Sequence, residues 1–344
     1  SSETKVYPFA WAGNNAVGYA LYSLYTNLGQ MIGQDGYNQF MSLQQGATIT
    51  EDDIKNGKNM YKNDDIYTAL EIMMKEFNTE TSCPGSANNT HDKAHFNILK
   101  GNCAFIPDGE FFFREAMVNY SDLIGDISFL NVPVNSELGV KLKLDGTGKN
   151  REKCDEILSY VIGLIDENKT TEQIIVAVSN DLDAEVTAEQ IETITEARAC
   201  YYERKDHNAY VTSSSNVKDI AKLFLRMVAS DDFGDLFNET AYAYAPYSRN
   251  NNDESEYSFV NDCFKIVKRK GAWGVSNLDA TGLRLAANIS LYAPYGTEIA
   301  RSVSNTKCRF DTTNHADFIK VKNEIIETVN SQWAEKMKNA GYNV

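Results

Sequence analysis

Apolar residues recur every three or four positions over 16–45, at Val17, Leu21, Leu24, Leu28 and Ile32, and this period predicts a helix. A second helix is expected over 63–78, with Asp64 or Asp65 near its cap and Ile66, Leu70, Met73, Met74 and Phe77 facing inward. Helical patterns also run over 152–167 and 187–203, the latter opened by a Thr187-Ala-Glu-Gln190 capping box. Segment 170–187 between them reads as a compact insertion. Asn216 is placed to cap an amphipathic helix with Val217, Ile220, Ala221, Phe224, Leu225 and Val228 on one face. Phe318 to Met337 predicts one long closing helix, with Trp333 in a packing role.

Shorter apolar runs read as strands: residues 5–14 running into a Gly13-Asn14 turn, Cys103–Ile106, Gly125–Val134 ended by Pro133, and Ala209–Thr212. Residues 79–90 are a turn-rich loop followed by a helix into Leu99, and 141–150 a turn or hairpin. Alternating strands and helices predict an α/β fold. Within 99–117, Pro107-Asp108-Gly109 stops a strand, because Pro lacks an N–H and Gly tolerates positive φ. Phe111, Phe112 and Phe113 follow and open a helix. That order places aromatic rings at the carboxyl end of a strand, where open α/β sheets bind ligands.

Charge narrows the partners. The 344 residues carry 48 acidic and 33 basic side chains, a net −15, which argues against nucleic acid and against an anionic membrane surface. The basic run Lys265–Lys270 reads as a solvated helix end. No stretch of apolar residues is long enough to span a bilayer. The chain opens on Ser-Ser-Glu-Thr-Lys, so any export signal is expected upstream of it. Its six cysteines form no CxxC pair, which excludes zinc-ribbon and thioredoxin readings, and Cys103 and Cys200 read as buried apolar residues. His91 and His95 have the spacing of two helical metal ligands; without a third ligand nearby they read as a solvated helix face. Asp145-Gly-Thr-Gly-Lys-Asn150 lacks the strand–loop–helix frame of a phosphate loop and reads as a turn. No metal or cofactor is implied.

Three segments together carry a resemblance. Leu99-Lys-Gly-Asn-Cys-Ala-Phe-Ile-Pro-Asp-Gly-Glu-Phe111 resembles a G-x-x-A-hydrophobic-x-x-x-G-x-W segment, and Asn208-Ala-Tyr-Val-Thr212 with the helix to Asp231 resembles a later strand–helix unit. Trp333-Ala-Glu-Lys-Met-Lys-Asn-Ala-Gly-Tyr342 is similar to a closing helix. The family is that of the extracellular solute-binding proteins (family 1) of bacterial carbohydrate ABC transporters. The resemblance implies an α/β, periplasmic-binding-protein-like (type II) fold of two lobes joined by a hinge, with the first lobe incomplete in this chain. By analogy 1–207 and 292–344 form one lobe, and 208–291 is the returning part of the other. It further implies an extracellular, lipid-anchored, monomeric protein that hands an oligosaccharide to permease subunits without chemistry.

A sugar site needs flat aromatic platforms and fixed hydrogen-bonding groups. Phe111 falls where the family carries a stacking Trp, with Glu110 beside it as a hydroxyl acceptor. Trp11 with Asn14, and Trp273 between Gly271 and Gly274, are further candidates for carbohydrate binding; Tyr244 and Tyr247 are candidates for a hinge loop. Two readings compete with capture. Asp108 and Glu110 offer the paired carboxylates of a glycoside hydrolase, and the aromatic residues alternatively serve a surface adhesion or scaffold module.

Overall fold

A computed structural model describes residues 5–15, 17–77, 80–203, 209–241, 255, 257–276, 279–289 and 315–343. Over these residues the chain is mixed α/β and mostly helical, with strands of only three residues each. The expected loop tyrosines Tyr244 and Tyr247 lie outside the described residues.

Two parallel strand pairs organise the molecule. Strand β1 (Tyr7–Phe9) pairs with β2 (Cys103–Phe105) in the register Tyr7↔Cys103 and Phe9↔Phe105. The crossover between them carries four helices: α1 (Val17–Ser42), α2 (Glu51–Asn56), α3 (Asp64–Glu76) and α4 (His91–Leu99). After β2 come α5 (Phe111–Tyr120), α6 (Ser136–Lys141), α7 (Arg151–Asp166), α8 (Thr171–Leu182) and α9 (Ala188–Ala199). The second pair joins β3 (Cys200–Tyr202) to β4 (Trp273–Val275), with Cys200 opposite Trp273. Helices α10 (Lys218–Val228), α11 (Asp231–Ala241) and α12 (Ser258–Val267) lie between β3 and β4 in sequence; α13 (Gly282–Ala286) and α14 (His315–Asn339) follow.

Helix α1 is the spine. Its leucines 21, 24 and 28 share the main core with Leu70 and Met73 of α3, Trp273 and Val275 of β4, and Trp333 of α14. At Gly33 the backbone turns to φ 70°, which glycine adopts without a Cβ penalty, and the helix kinks there. The Gln34 amide beyond the kink donates to Glu196 Oε1 of α9 at 2.7 Å. Arg284 of α13 is buried, yet its guanidinium donates to the Phe40 carbonyl and, at 2.7 Å, to the Tyr61 hydroxyl, so the burial cost is offset. A second core is built by α7, α8 and α9 through Ile157, Val161, Val178 and Ile194. A third joins Phe112 and Phe113 of α5 to Phe259 and Val260 of α12. Elements of 208–291 therefore complete cores that earlier residues begin.

Several expectations need correction. Residues 170–187 are not a mere insertion: α8 carries its own Thr170–Gln173 capping box and supplies core residues. Asp64 and Asp65 do stand next to the cap, in the first turn of α3; the cap itself is Asn63, whose side chain accepts from the Asp65 amide at 3.0 Å. Helix α10 has Val217 at its cap position, and Asn216 makes no capping bond. None of its residues is buried among the described residues, with Ile220 67% and Phe224 57% exposed. Residues 209–212 form no strand; Ser215 donates back to the Thr212 carbonyl and closes a turn. Residues 121–126 are a 3₁₀ helix, and 127–135 run without a ladder because side chains hold this backbone instead. Asn131 Nδ2 donates to the Cys200 carbonyl at 2.7 Å and Gln30 Nε2 to the Val132 carbonyl at 3.2 Å.

Candidate functional site

The turn after β2 opens onto a cavity of about 730 Å3. Its walls come from α1 (Tyr22, Ser23, Asn27), the last turn of α3 (Ile72, Glu76), the Pro107-Asp108-Gly109 turn and the extended segment 127–135, with Phe112 and Phe259 at the back. A side chamber of about 100 Å3 shares Tyr22, Asp108 and Phe129 with it and adds Glu110, Phe111, Tyr201 and Tyr202. The Tyr22 and Tyr202 rings meet at 4.6 Å between centroids.

Asp108 is fixed from two sides. Its Oδ1 accepts the Gly109 amide at 2.8 Å, and its Oδ2 lies 2.8 Å from His95 Nε2. His95 in turn stands edge-on to Phe112 at 4.6 Å. The two side chains are 4% and 1% exposed. Burial pushes the Asp108 carboxyl above the usual carboxylate range, with the His95 hydrogen bond opposing the shift. The expectation of a solvated His91–His95 face is thus wrong for His95: α4 turns it inward, and only His91 stays exposed. No group of residues fit to hold a metal occurs among the described residues.

Glu76 is the second carboxyl of the cavity. Burial raises it to about 7, against a hydrogen bond from Ser23 that lowers it. Asn27 Nδ2 donates to Ser23 Oγ at 3.0 Å, which orients that hydroxyl. Sequence reading missed Glu76. Its signal was an acidic residue one turn after Ile72 on a helix whose neighbours Met73 and Phe77 are core.

Asn135 closes the far wall. Its backbone N–H donates to Gln30 Oε1 at 3.1 Å, and its Oδ1 accepts the Glu137 amide to cap α6. The residue is 7% exposed, and its Nδ2 has no hydrogen-bond partner among the described residues.

The expected carbohydrate-binding residues separate into two groups. Glu110 and Phe111 line the side chamber, and the Phe111 ring folds so tightly over Gly109 that a Cβ there would lie 2.4 Å from it. Trp11 is instead a core side chain, donating to Ser82 Oγ at 2.9 Å and meeting Phe77 edge-on at 5.0 Å. Trp273 is likewise core, its Nε1 donating to the Glu196 carbonyl at 2.9 Å. Neither ring is available as a platform. Asn14 is exposed, donates its backbone N–H to the Asn89 carbonyl, and lines neither chamber.

A wider groove of about 1370 Å3 lies between α7, α8, α9 and α12; its Asp166 already pairs with Arg198 and Arg269. None of the residues expected to bind carbohydrate lies there. No protein-family model matches this chain, nor does any characterised protein or solved structure.

Proposed function

We propose that this protein captures an oligosaccharide in the cavity beside Asp108, as the extracellular solute-binding component of a carbohydrate ABC transporter with a two-lobe, periplasmic-binding-protein-like architecture. One observation carries the reading. A cavity of ligand-binding size sits at the carboxyl end of β2, lined by the rings of Tyr22 and Phe129 and by fixed carboxyls. Aromatic faces suit the C–H faces of a pyranose, and the carboxyls suit its hydroxyls. Affinity on this reading comes from stacking and hydrogen bonding, and the ligand leaves unchanged.

Titration calorimetry of the whole chain against a panel of oligosaccharides tests it. Stoichiometric binding with no product on chromatography is the expected result; no heat with any member of the panel overturns it. A second reading is favoured by Glu76 and Asp108 sharing one cavity, since glycoside hydrolysis uses two carboxyls across the scissile bond. Release of shorter sugars, lost in E76Q and D108N, would establish that reading instead.

A further inference from the structure

The charges lining the two chambers are unbalanced. Glu76, Asp108 and Glu137 line the larger and Glu110 the smaller, whereas no Lys, Arg or His is among the described lining residues of either. Two of these carboxyls are served from behind the wall, Asp108 by His95 and Glu137 by Arg151. Glu76 has its Ser23 hydrogen bond, and the low-polarity surroundings hold its proton to about neutral pH. The titratable groups sharing the wall with it are Tyr22 of α1, Cys103 of β2, Asp108 and Glu137. None of them supplies a positive charge. A ligand ammonium would.

The rings agree with this. Tyr22 and Phe129 line the larger chamber and Phe111 the smaller, and an aromatic quadrupole attracts a cation over its face, the more so where the site is desolvated. An independent group asks for a ligand of a second kind. Asn135 lines the same cavity and, more than nine-tenths buried, has an Nδ2 without a partner among the described residues. Such a donor costs free energy unless an acceptor arrives, and a saccharide hydroxyl or ring oxygen is such an acceptor.

We infer that the ligand of this cavity is a saccharide bearing free amino groups, its ammonium held between Glu76 and the aromatic wall and its hydroxyls met by Asn135. This rests on the capture function proposed above and narrows its substrate class from neutral to cationic sugars. Anionic sugars are disfavoured by the same charges.

The test uses a matched pair: the β-1,4 glucosamine tetramer and its fully N-acetylated counterpart, titrated into the whole chain at pH 7 and near-physiological salt. The expected result is at least tenfold tighter binding of the amine form, with the preference erased in E76Q. A neutral amide escapes the cost of ionising a buried carboxyl, so E76Q is expected to match or exceed the wild-type thermal midpoint at pH 7; E76D, which keeps the charge on a shorter arm, is expected to retain part of the preference. If E76Q fails to fold, a reduced preference in E76D, together with N135A weakening both tetramers alike, decides instead. Equal or tighter binding of the acetylated form overturns the inference and leaves the capture reading standing. An amine preference that survives in E76Q also overturns it, since that is attraction to the −15 net charge rather than to the site. Failure of both tetramers, together with every neutral sugar of the panel, removes the capture reading itself.

Discussion

The two parallel strand pairs are built alike, from strands three residues long, but β3 and β4 pack against α1 whereas Cys103 of β2 joins Ala10 and Cys83 in a small separate cluster, and their ends differ. Beyond β2 the chain meets Pro107, which donates no hydrogen bond, and then an Asp whose carboxyl faces a cavity. Beyond β4 the described polar groups of Ser276 and Asp279 find protein partners close by. Ser276 donates its amide to Tyr37 Oη at 2.9 Å and to Asp279 Oδ2 at 2.8 Å, while Glu203 folds over Gly274. Gly29 of α1 approaches so closely that a Cβ there would fall 2.8 Å from Cys200 Sγ and 2.9 Å from Val275. An end sealed by reciprocal hydrogen bonds has no room for a ligand. At the other end a cavity remains, and the Asn135 Nδ2 beside it has no partner among the described residues.

The largest test of this contrast is at the sealed end. Trp273→Ala removes a buried indole and strands the Glu196 carbonyl, so stability should fall by about 3–5 kcal/mol in urea denaturation. Ligand affinity of the folded fraction should not change. A loss below about 1 kcal/mol would mean that β4 is not core as described. Next in size is His95→Ala at the open end. It leaves the Asp108 carboxyl buried without its partner, at a cost of about 3 kcal/mol. The H95A/D108N double variant should recover part of that loss, because no uncompensated charge is then buried. Strict additivity of the two losses would show that the pair is not coupled.

Legibility in the sequence follows the same division. The long helices were readable because Leu21, Leu24 and Leu28, or Ile325, Val329 and Trp333, repeat at helical spacing whatever they pack against. The turn at 107–109 was readable because Pro and Gly act locally. Tertiary partners were not. The apolar run at 127–134 looked like a strand, yet it lacks a neighbouring strand and is held by Gln30 and Asn131 side chains. Trp11 and Phe111 are both aromatics beside a strand end. Only the packing of Ser82 and Phe77 around one, and of Gly109 under the other, decides which is core. Glu76 and His95 escaped because a helix face that buries one charged residue differs from a solvated one only through its neighbours.

A smaller effect distinguishes the open end by pH. Glu76 has its folded-state proton affinity raised to about 7, above the ordinary glutamate value of 4.5. Between those values the unfolded chain has lost this proton while the folded chain keeps it, so folding stability falls as pH rises through the window. Above about 7 both forms are ionised and the loss is complete. The Glu76 share should be on the order of 3 kcal/mol, and E76Q should flatten it. A profile identical in wild type and E76Q would mean that Glu76 is solvated and the cavity wet.

The smallest effect on stability is at Phe111, and it decides whether the side chamber belongs to the site. The ring lies over Gly109, at the junction of the turn and α5, where removing it opens the chamber toward Asp108 without entering the Phe112–Phe113–Phe259 core. Phe111→Ala should therefore cost less than about 1 kcal/mol in folding but about 1–2 kcal/mol in ligand affinity, the worth of one ring face against a sugar or its ammonium. Phe112→Ala is the internal control. It removes a ring packed on His95 and Phe259, so folding should suffer by about 3–5 kcal/mol. Should Phe111→Ala instead destabilise the fold as much as Phe112→Ala, its ring is core like Trp273, and the open end would hold its ligand through Tyr22 and Phe129 alone.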